Sequence, residues 1–257
     1  MAAEPSALPP ELVQRLRQIE PDEPLLVCSD FDGTLSPIVT RPEDAAPLDG
    51  VAPLLDRLAH SDLTTVAVVS GRSLGDLARL SGLSAPIVLV GSHGGEFETG
   101  FVTDLTAQHN ELLEQLDSVL SQMISDAPGA QLERKPISIA VHVRQASRPD
   151  ADRVLAAVSE GPALWPGVHV TAGKEVLELA VQKVDKGSAI EILRRGTPGG
   201  DATVVFVGDD VTDERGFQAL EPTDVGVKVG PGDTAAEYRV ESVESVRSLL
   251  TLLAALR

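Results

Sequence analysis

The sequence predicts an α/β fold in which a doubly wound parallel sheet carries an inserted α+β domain. Three observations support this prediction: apolar runs of strand length recur along the chain, helical patterns separate several of them, and a long middle segment has a different, alternating pattern. Continuous apolar strands that alternate with helices are typical of a parallel sheet covered on both faces. The ligands of such a sheet bind at the carboxyl ends of its strands.

Five apolar runs predict the strands of the parallel sheet. They lie at residues 25–28, 65–69, 86–90, 204–207 and 225–229. Apolar side chains spaced three or four residues apart predict helices in several of the gaps. These helices lie at residues 51–58, 74–80 and 189–195.

The middle of the chain breaks this rhythm. A helical pattern at residues 111–124 precedes residues 132–144, where apolar and polar side chains alternate as in a strand with one solvated face. A helix at residues 150–158 follows, and then a hairpin with an Ala-Gly turn at residues 172–173. These elements predict a small antiparallel sheet with helices.

The change of pattern sets the predicted domain boundaries. Residues 1–105 and 181–257 form the predicted core, and residues 106–180 form the inserted domain. A chain of 257 residues is long enough for one large domain or two smaller ones, each with an apolar interior.

Composition excludes several classes of partner. A formal net charge of −18 repels nucleic acid and anionic membrane, and an aromatic content of 3% leaves few platforms for stacking bases. The chain has no run of eighteen apolar residues and no basic-then-apolar N-terminal segment, so neither a membrane span nor a signal peptide is predicted. The single cysteine, Cys28, excludes an internal disulfide. We expect a cytoplasmic monomer that acts on a small molecule.

Two carboxylates follow the first predicted strand, in the sequence DFDGTLS at residues 30–36. Because a strand places residues i and i+2 on one face, Asp30 and Asp32 emerge together. Crowded carboxylates stay ionised at low cost only beside a cation, and hard oxygen ligands suit Mg²⁺. One Asp can then attack phosphorus while its neighbour transfers a proton to the leaving oxygen. Ordinary turns and Ca²⁺ loops share this short pattern, so further motifs are needed to distinguish a phosphate-handling site from such a loop.

Two other motifs supply groups that bind phosphate. Ser70, Gly71 and Arg72 follow the second strand and offer a hydroxyl, a backbone amide and a fixed cation. Asp185 can cap a helix, and Lys186 in its first turn would direct a positive charge toward the same end of the sheet. Each motif alone is compatible with a turn or a solvated surface.

A second acidic group, GDDVTDE at residues 208–214, follows the fourth strand. Packing does not explain so dense a cluster at a strand end. Its carboxylates can supply a further metal ligand and the groups that support it. Because every motif lies where this fold binds ligands, the sequence predicts one phosphate-handling site.

Taken in order, DFDGT, SGR, DKG and GDDVTDE resemble the four motifs of the haloacid dehalogenase superfamily of phosphotransferases. The resemblance implies that Asp30 is the nucleophile and Asp32 the general acid/base. It also implies that Ser70 and Lys186 bind the phosphate.

The same resemblance implies a Mg²⁺ cofactor. Its ligands would be Asp30, Asp209 and the backbone carbonyl of Asp32. Asp213 would support these ligands or reach the metal through water.

In this superfamily the inserted domain, or cap, selects the substrate. A sheet face that mixes carboxylates with cations suits a sugar, whose hydroxyl groups donate to Glu and accept from Lys. A solvated face with cross-strand charge pairs is the alternative. The polar side chains in question are Glu133, Lys135, His142, Arg144, Lys174 and Glu178.

ERKPISIAVHVR resembles the pattern ExKxxSxAxHYR of trehalose-6-phosphate phosphatases, and GKEVLEL and GSHGGE add to the likeness, which extends from Leu25 to the segment VKVGPGDTAA. The resemblance implies Mg²⁺-dependent hydrolysis of trehalose 6-phosphate, with those six residues binding the sugar. Val143 replaces the usual Tyr, and residues 179–182 lack an Arg-Pro seen in many relatives. Sucrose phosphate or mannosyl-3-phosphoglycerate therefore remains an alternative substrate. A regulatory module that binds sugar phosphate without turnover is the other alternative.

Overall fold

The structure is a computed structural model that describes residues 8–97, 106–135, 137–173, 175–182 and 184–257. The chain forms two compact units. Residues 1–102 and 184–257 form the first, here called the core unit, and residues 103–183 form the second, here called the insert unit.

The strands and helices are numbered in chain order. The strands are β1 (Leu25–Ser29), β2 (Thr64–Val69), β3 (Val88–Gly91), β4 (Glu96–Phe97), β5 (Gln131–Arg134), β6 (Ser138–His142), β7 (His169–Gly173), β8 (Val176–Ala180), β9 (Thr203–Gly208), β10 (Val225–Val229) and β11 (Tyr238–Val240). The helices are α1 (Pro10–Leu16), α2 (Val51–Ala59), α3 (Leu74–Ser81), α4 (Ala107–Ile124), α5 (Arg148–Glu160), α6 (Lys186–Gly196), α7 (Glu214–Gln218) and α8 (Val243–Leu256). None of the helices in the described part of the chain has the length and hydropathy of a bilayer-spanning segment.

The core unit contains a seven-stranded sheet in the order β11-β10-β9-β1-β2-β3-β4. Its strands are parallel except β4, which runs antiparallel to β3. The five predicted strands are all present. The strand order reverses between β1 and β9, and such a switch point opens a crevice at the carboxyl ends of the strands.

Apolar layers cover both faces of this sheet, which confirms the doubly wound fold. Neighbouring residues point in opposite directions. Val27 therefore packs with the residues of α1, α2, α3 and α8, whereas Leu26 packs with those of α6 and α7. Each fully buried Leu or Val contributes about 1.5–3 kcal/mol. Cys28 is also fully buried and acts as a small apolar residue in this second layer.

The insert unit contains a four-stranded antiparallel sheet in the order β5-β6-β8-β7. Ile139, Val141 and Leu179 point to one face and pack with buried residues of α4 and α5. The residues between them in sequence point to the other face. Glu133, Ala140 and Glu178 therefore share that face, because they are aligned across the sheet.

The sequence prediction was wrong in two details of this sheet. Residues 132–144 form two antiparallel strands, because residues 135 and 138 close a tight turn in which Lys135 N donates to Ser138 O at 2.8 Å. The sequence has a proline between β5 and β6, and proline lacks the N–H that a continuous strand would need there. The second hairpin does not turn at residues 172–173, because Gly173 still pairs with Val176. Glu175 takes the left-handed conformation, at φ 62°.

Candidate active site

Asp30 stands at the end of β1, beside the switch point of the sheet. Its N–H donates to Val207 O of β9 at 2.9 Å, and the residue is only 5% exposed. The chain then turns at Gly33, which has a φ of 78°. A Cβ at Gly33 would overlap the Asp209 carboxylate, so glycine is required for close approach as well as for the turn. The turn thereby brings the first acidic motif against the last.

Lys186 is the first residue of α6, and its ammonium lies between two carboxylates. Its Nζ donates to Asp30 Oδ1 at 2.7 Å and to Asp213 Oδ1 at 2.6 Å, and the residue is 2% exposed. The predicted helix cap is confirmed, because the Asp185 carboxylate accepts from Ser188 N at 2.9 Å. The start of the helix is thus fixed, and with it the position of Lys186.

Burial and neighbouring charges oppose each other in this ion pair, with different outcomes for the two residues. Burial raises the pKa of Asp30 to about 7; Lys186 opposes the rise and Asp213 adds to it. Burial alone would lower the pKa of Lys186, but the two carboxylates outweigh it and hold that pKa above its ordinary value. Lys186 therefore stays cationic, and the ionisation of Asp30 depends on the cations around it.

Asp30, Asp209 and Asp213 form an acidic cluster, with one carboxylate oxygen of each within 4.8 Å of the others. Asp213 Oδ2 accepts from the N–H groups of Asp209 and Asp210, each at 2.9 Å, and so shapes the loop after β9. Burial raises the pKa of Asp209 to about 6, and the charges of Asp213 and Asp210 add to the rise. Asp209 Oδ1 is buried without a hydrogen-bond partner among the described residues. This set of hard oxygen donors fits a divalent cation such as Mg²⁺.

Asp32 and Arg72 form a two-point ion pair. Arg72 Nε donates to Asp32 Oδ2 at 2.7 Å, and Arg72 Nη2 donates to Asp32 Oδ1 at 2.6 Å. The hydrogen bonds to Asp32 raise the pKa of Arg72 above its ordinary value. Both oxygens of the predicted acid/base are thus engaged by a residue predicted to bind phosphate, so the two predicted roles are coupled.

The turn at Ser70 and Gly71 is supported by the loop after β3. His93 N donates to Ser70 O at 2.9 Å, and Ser92 N donates to Arg72 O at 2.7 Å. A Cβ at Gly71 would overlap the His93 imidazole ring, so the two segments are in close contact. Ser92 and His93 both have positive φ, at 49° and 57°, which are rarely occupied by residues other than glycine.

Sequence reasoning missed the role of Glu96 in this support. Its carboxylate accepts from Leu74 N at 2.8 Å and from Ser92 Oγ at 2.6 Å. It therefore satisfies a free N–H at the start of α3 and ties that helix to the loop. The motif GSHGGE contained the signal, but nothing in it indicates a partner more than twenty residues away.

Sequence reasoning also missed Lys228, which donates to the backbone carbonyl of Asp209. Lys228 is 4% exposed. The available signal was a single charged residue in the otherwise apolar strand VGVKV.

In the insert unit, Glu178 stands at the centre of a hydrogen-bonded group. Lys135 Nζ lies 3.1 Å from both of its carboxylate oxygens, and Ser138 Oγ donates to Oε1 at 2.6 Å. His142 Nε2 is hydrogen-bonded to Glu133 Oε2 at 2.9 Å on the same sheet face. The structure therefore brings together four of the six predicted sugar-binding residues.

Of the other two predicted residues, the structure describes only Arg144, which is not part of this group. Arg144 lies beyond the end of β6 with its side chain 82% exposed, and its Nε is 4.0 Å from Glu175 Oε2. Lys174 lies outside the described residues.

Comparisons with known proteins agree with the geometry. The family model described as trehalose-phosphatase matches residues 28–245. A trehalose-phosphate phosphatase of Mycobacterium marinum is 36% identical over 243 residues, which cover 88% of this chain and 60% of that protein. A trehalose-6-phosphate phosphatase of Escherichia coli is 32% identical over 228 residues, which cover 87% of this chain and 84% of that protein. The chain thus spans less than two thirds of the length of the mycobacterial relative.

Solved structures give the same result at the level of the fold. The C-terminal domain of a trehalose-6-phosphate phosphatase of Candida albicans matches with a TM-score of 0.70 and 25% identity, and the match covers all of both chains. A trehalose-6-phosphate phosphatase of Aspergillus fumigatus matches with a TM-score of 0.68 and 26% identity, covering 98% of each chain. With a family model that spans most of its length and relatives above 30% identity, the chain belongs to the trehalose-phosphatase family.

Proposed function

We propose that this protein hydrolyses trehalose 6-phosphate to trehalose and phosphate. The observation that carries the proposal is the buried Asp30 carboxylate, held by Lys186 at 2.7 Å and placed in a cluster with Asp209 and Asp213. A carboxylate oriented by a fixed cation, next to hard oxygen ligands, suits nucleophilic attack on a phosphoryl group. Membership of the family and the names of the relatives support the choice of substrate.

The proposed reaction has two chemical steps. The Asp30 carboxylate attacks phosphorus, and Asp32 donates a proton to the sugar oxygen as the bond to phosphorus breaks. Asp32 then accepts a proton from the water that attacks the aspartyl-phosphate, which releases phosphate and restores Asp30. Lys186 binds the phosphoryl oxygens, together with the Ser70 hydroxyl and the Gly71 amide.

We propose Mg²⁺ as the cofactor, held by Asp30, Asp209 and the backbone carbonyl of Asp32. Bound there, Mg²⁺ would neutralise charge on the phosphate and on the cluster. Asp213 supports this arrangement through its hydrogen bonds to Lys186 and to the loop of Asp209. Asp209 Oδ1 is buried and has no hydrogen-bond partner among the residues that the structure describes, which supports the assignment of Asp209 as a ligand.

Arg72 links phosphate binding to acid/base catalysis in this proposal. While both its donors engage Asp32, the acid/base is held in one orientation. An incoming phosphate offers Arg72 an alternative anionic partner, and the carboxylate is then free to reach the sugar oxygen.

We also propose that residues 106–180 act as a cap that selects the sugar. Glu133, Lys135, His142 and Glu178 supply donors and acceptors for sugar hydroxyls, and Arg144 and Lys174 complete the proposed set. A small sugar phosphate is the only partner that the proposal requires, and we place the enzyme in the cytoplasm as a monomer.

Phosphate release from a panel of sugar phosphates, with and without Mg²⁺, tests the proposal. We expect trehalose 6-phosphate to have the highest kcat/KM and EDTA to abolish turnover. Preference for sucrose phosphate or mannosyl-3-phosphoglycerate would replace the substrate but keep the chemistry. Tight binding of trehalose 6-phosphate without turnover at any Mg²⁺ concentration would instead identify a regulatory module.

A further inference from the structure

Lys228 is a buried cation that the proposed reaction does not use. It lies in β10 next to Gly208, the last residue of β9, and β11 covers its other side through Arg239. The strand is otherwise apolar, and Lys228 is 4% exposed. A lysine in such a position is costly unless its charge has a defined partner.

The partner of Lys228 is a backbone carbonyl. Its Nζ donates to Asp209 O, and no carboxylate of the described residues lies within 4.0 Å of it to form an ion pair. This differs from Lys186, the other buried lysine of the site, which contacts two carboxylates.

The backbone of Asp209 is therefore held at two points. Its N–H donates to the Asp213 carboxylate at 2.9 Å, and its carbonyl accepts from the Lys228 ammonium. Both partners are buried and charged, and hydrogen bonds to charged groups are the strong ones. The Asp209 side chain, in contrast, leaves Oδ1 without a hydrogen-bond partner in the part of the chain that the structure describes. The main chain is fixed, and the carboxylate oxygen is left for a ligand.

We propose that Lys228 is a positioning residue that fixes the Asp209 main chain so that its carboxylate is directed into the acidic cluster for Mg²⁺. The inference rests on the proposed function, because it takes Asp209 as a metal ligand. Lys228 touches neither substrate nor metal in this role and acts only through Asp209.

A purely electrostatic role predicts the opposite sign. A positive charge next to the cluster repels a divalent cation, so removing that charge alone would strengthen Mg²⁺ binding. Loss of positioning weakens it, because Asp209 would no longer be held in place. The direction of the change in Mg²⁺ affinity therefore decides between the two roles.

The experiment is a calorimetric titration of the full chain with Mg²⁺ alone, at constant ionic strength and without substrate. The decisive variant is Lys228→Met, which keeps the length of the side chain but removes its donor and charge. We expect its Kd for Mg²⁺ to rise about tenfold or more, the size expected for losing a hydrogen bond to a charged group. Lys228→Arg, which keeps a donor and a charge, should recover part of the loss.

Arg239→Met is the matched control. It removes the same charge from the neighbouring position on β11, where Arg239 contacts Gly230 O and Gly232 O and not the cluster. We expect its Kd to stay within about twofold of the wild-type value. Circular dichroism establishes that each variant is folded. If Lys228→Met does not fold, the Kd of Lys228→Gln for Mg²⁺ is compared with the wild-type value instead.

The outcomes separate the two proposals. An unchanged or lower Kd in Lys228→Met, with clear binding by the wild type, would overturn the role of Lys228 and leave the metal site intact. A wild-type protein that does not bind Mg²⁺ at all would overturn the metal assignment, and the role of Lys228 with it.

Discussion

Asp30 combines deep burial with a charged partner, and it is the residue on which the proposed chemistry depends most. We expect Asp30→Asn to lower kcat by several orders of magnitude, because an amide is too weak a nucleophile to form the covalent intermediate. The fold should survive, since the two side chains have nearly the same shape and Asp213 still pairs with Lys186. Steady-state phosphate release and circular dichroism measure the two effects.

Asp44→Asn is the control for this prediction. It removes one carboxylate from an exposed ion pair with Arg41 and should leave kcat unchanged. The stereochemistry at phosphorus gives a second measurement, because two successive displacements retain the configuration and a single attack by water inverts it. Inversion at phosphorus would exclude a covalent intermediate.

Substitution of Arg72 tests whether catalysis requires the geometry of its guanidinium group as well as its charge. Arg72→Lys keeps the charge, but a lysine cannot make the two parallel hydrogen bonds that Arg72 makes to Asp32. Loss of one charge-assisted hydrogen bond costs about 1.5–3 kcal/mol, so we expect kcat/KM to fall roughly tenfold to a few hundredfold. Wild-type kinetics in Arg72→Lys would mean that Arg72 provides only charge.

At the scale of whole elements, we expect a substitution in the insert sheet to impair only the sugar substrate, and a substitution in the core site to impair every phosphate ester. Glu178→Gln perturbs the contacts with Lys135 and Ser138, whereas Lys186→Met removes a cation that we assign to phosphate. We expect Glu178→Gln to lower kcat/KM for trehalose 6-phosphate roughly tenfold or more while sparing p-nitrophenyl phosphate, which has no sugar. Lys186→Met should impair both substrates.

The comparison needs kcat/KM for both substrates on each variant. Equal losses on both substrates in Glu178→Gln would show that the Glu178 group stabilises the sheet and does not bind sugar. The alternative of a solvated face with cross-strand charge pairs would then hold.

The elements that the sequence predicted well are those whose sequence signal lies within the element itself. The strands of the core are short apolar runs between polar motifs, and their ends were found to within two residues. Helix α6 starts at Lys186, three residues before the predicted 189, because the Asp185 cap and not the apolar spacing sets its first turn. The break between β5 and β6 was missed because apolar and polar residues alternate in sequence from 132 to 144, although a proline occurs within that stretch at position 136.

In the candidate site, too, the residues with a local sequence signal were predicted and those without one were missed. Asp30, Lys186 and Asp213 lie in dense polar motifs, and the structure brings them together as predicted. Lys228 contacts the backbone carbonyl of Asp209, and Glu96 contacts the backbone N–H of Leu74; backbone groups leave no mark on the sequence pattern. Such supporting contacts become visible only when the topology places distant segments side by side.

At the scale of the whole molecule, the acidic cluster links metal binding to stability. A chain of net charge −18 that buries several carboxylates in one cluster should be more stable when a cation occupies it. A ligand that binds only the folded state at about 100 times its Kd adds about 2.7 kcal/mol. For domains of 150–250 residues that corresponds to a rise in Tm of roughly 5–10 °C.

We therefore expect saturating Mg²⁺ to raise the Tm of the wild-type protein and to leave that of Asp209→Ala nearly unchanged. The reason is that Asp209→Ala removes the buried carboxylate whose Oδ1 has no hydrogen-bond partner in the described structure, and with it a proposed metal ligand. Differential scanning calorimetry with Mg²⁺, and with the same ionic strength of NaCl, measures the specific part of the shift, because screening by salt is then matched. Asp44→Asn, which leaves the cluster intact, should respond like the wild type. If Asp209→Ala gains as much Tm from Mg²⁺ as the wild type does, Asp209 is not a ligand, and the cation acts elsewhere on this acidic surface.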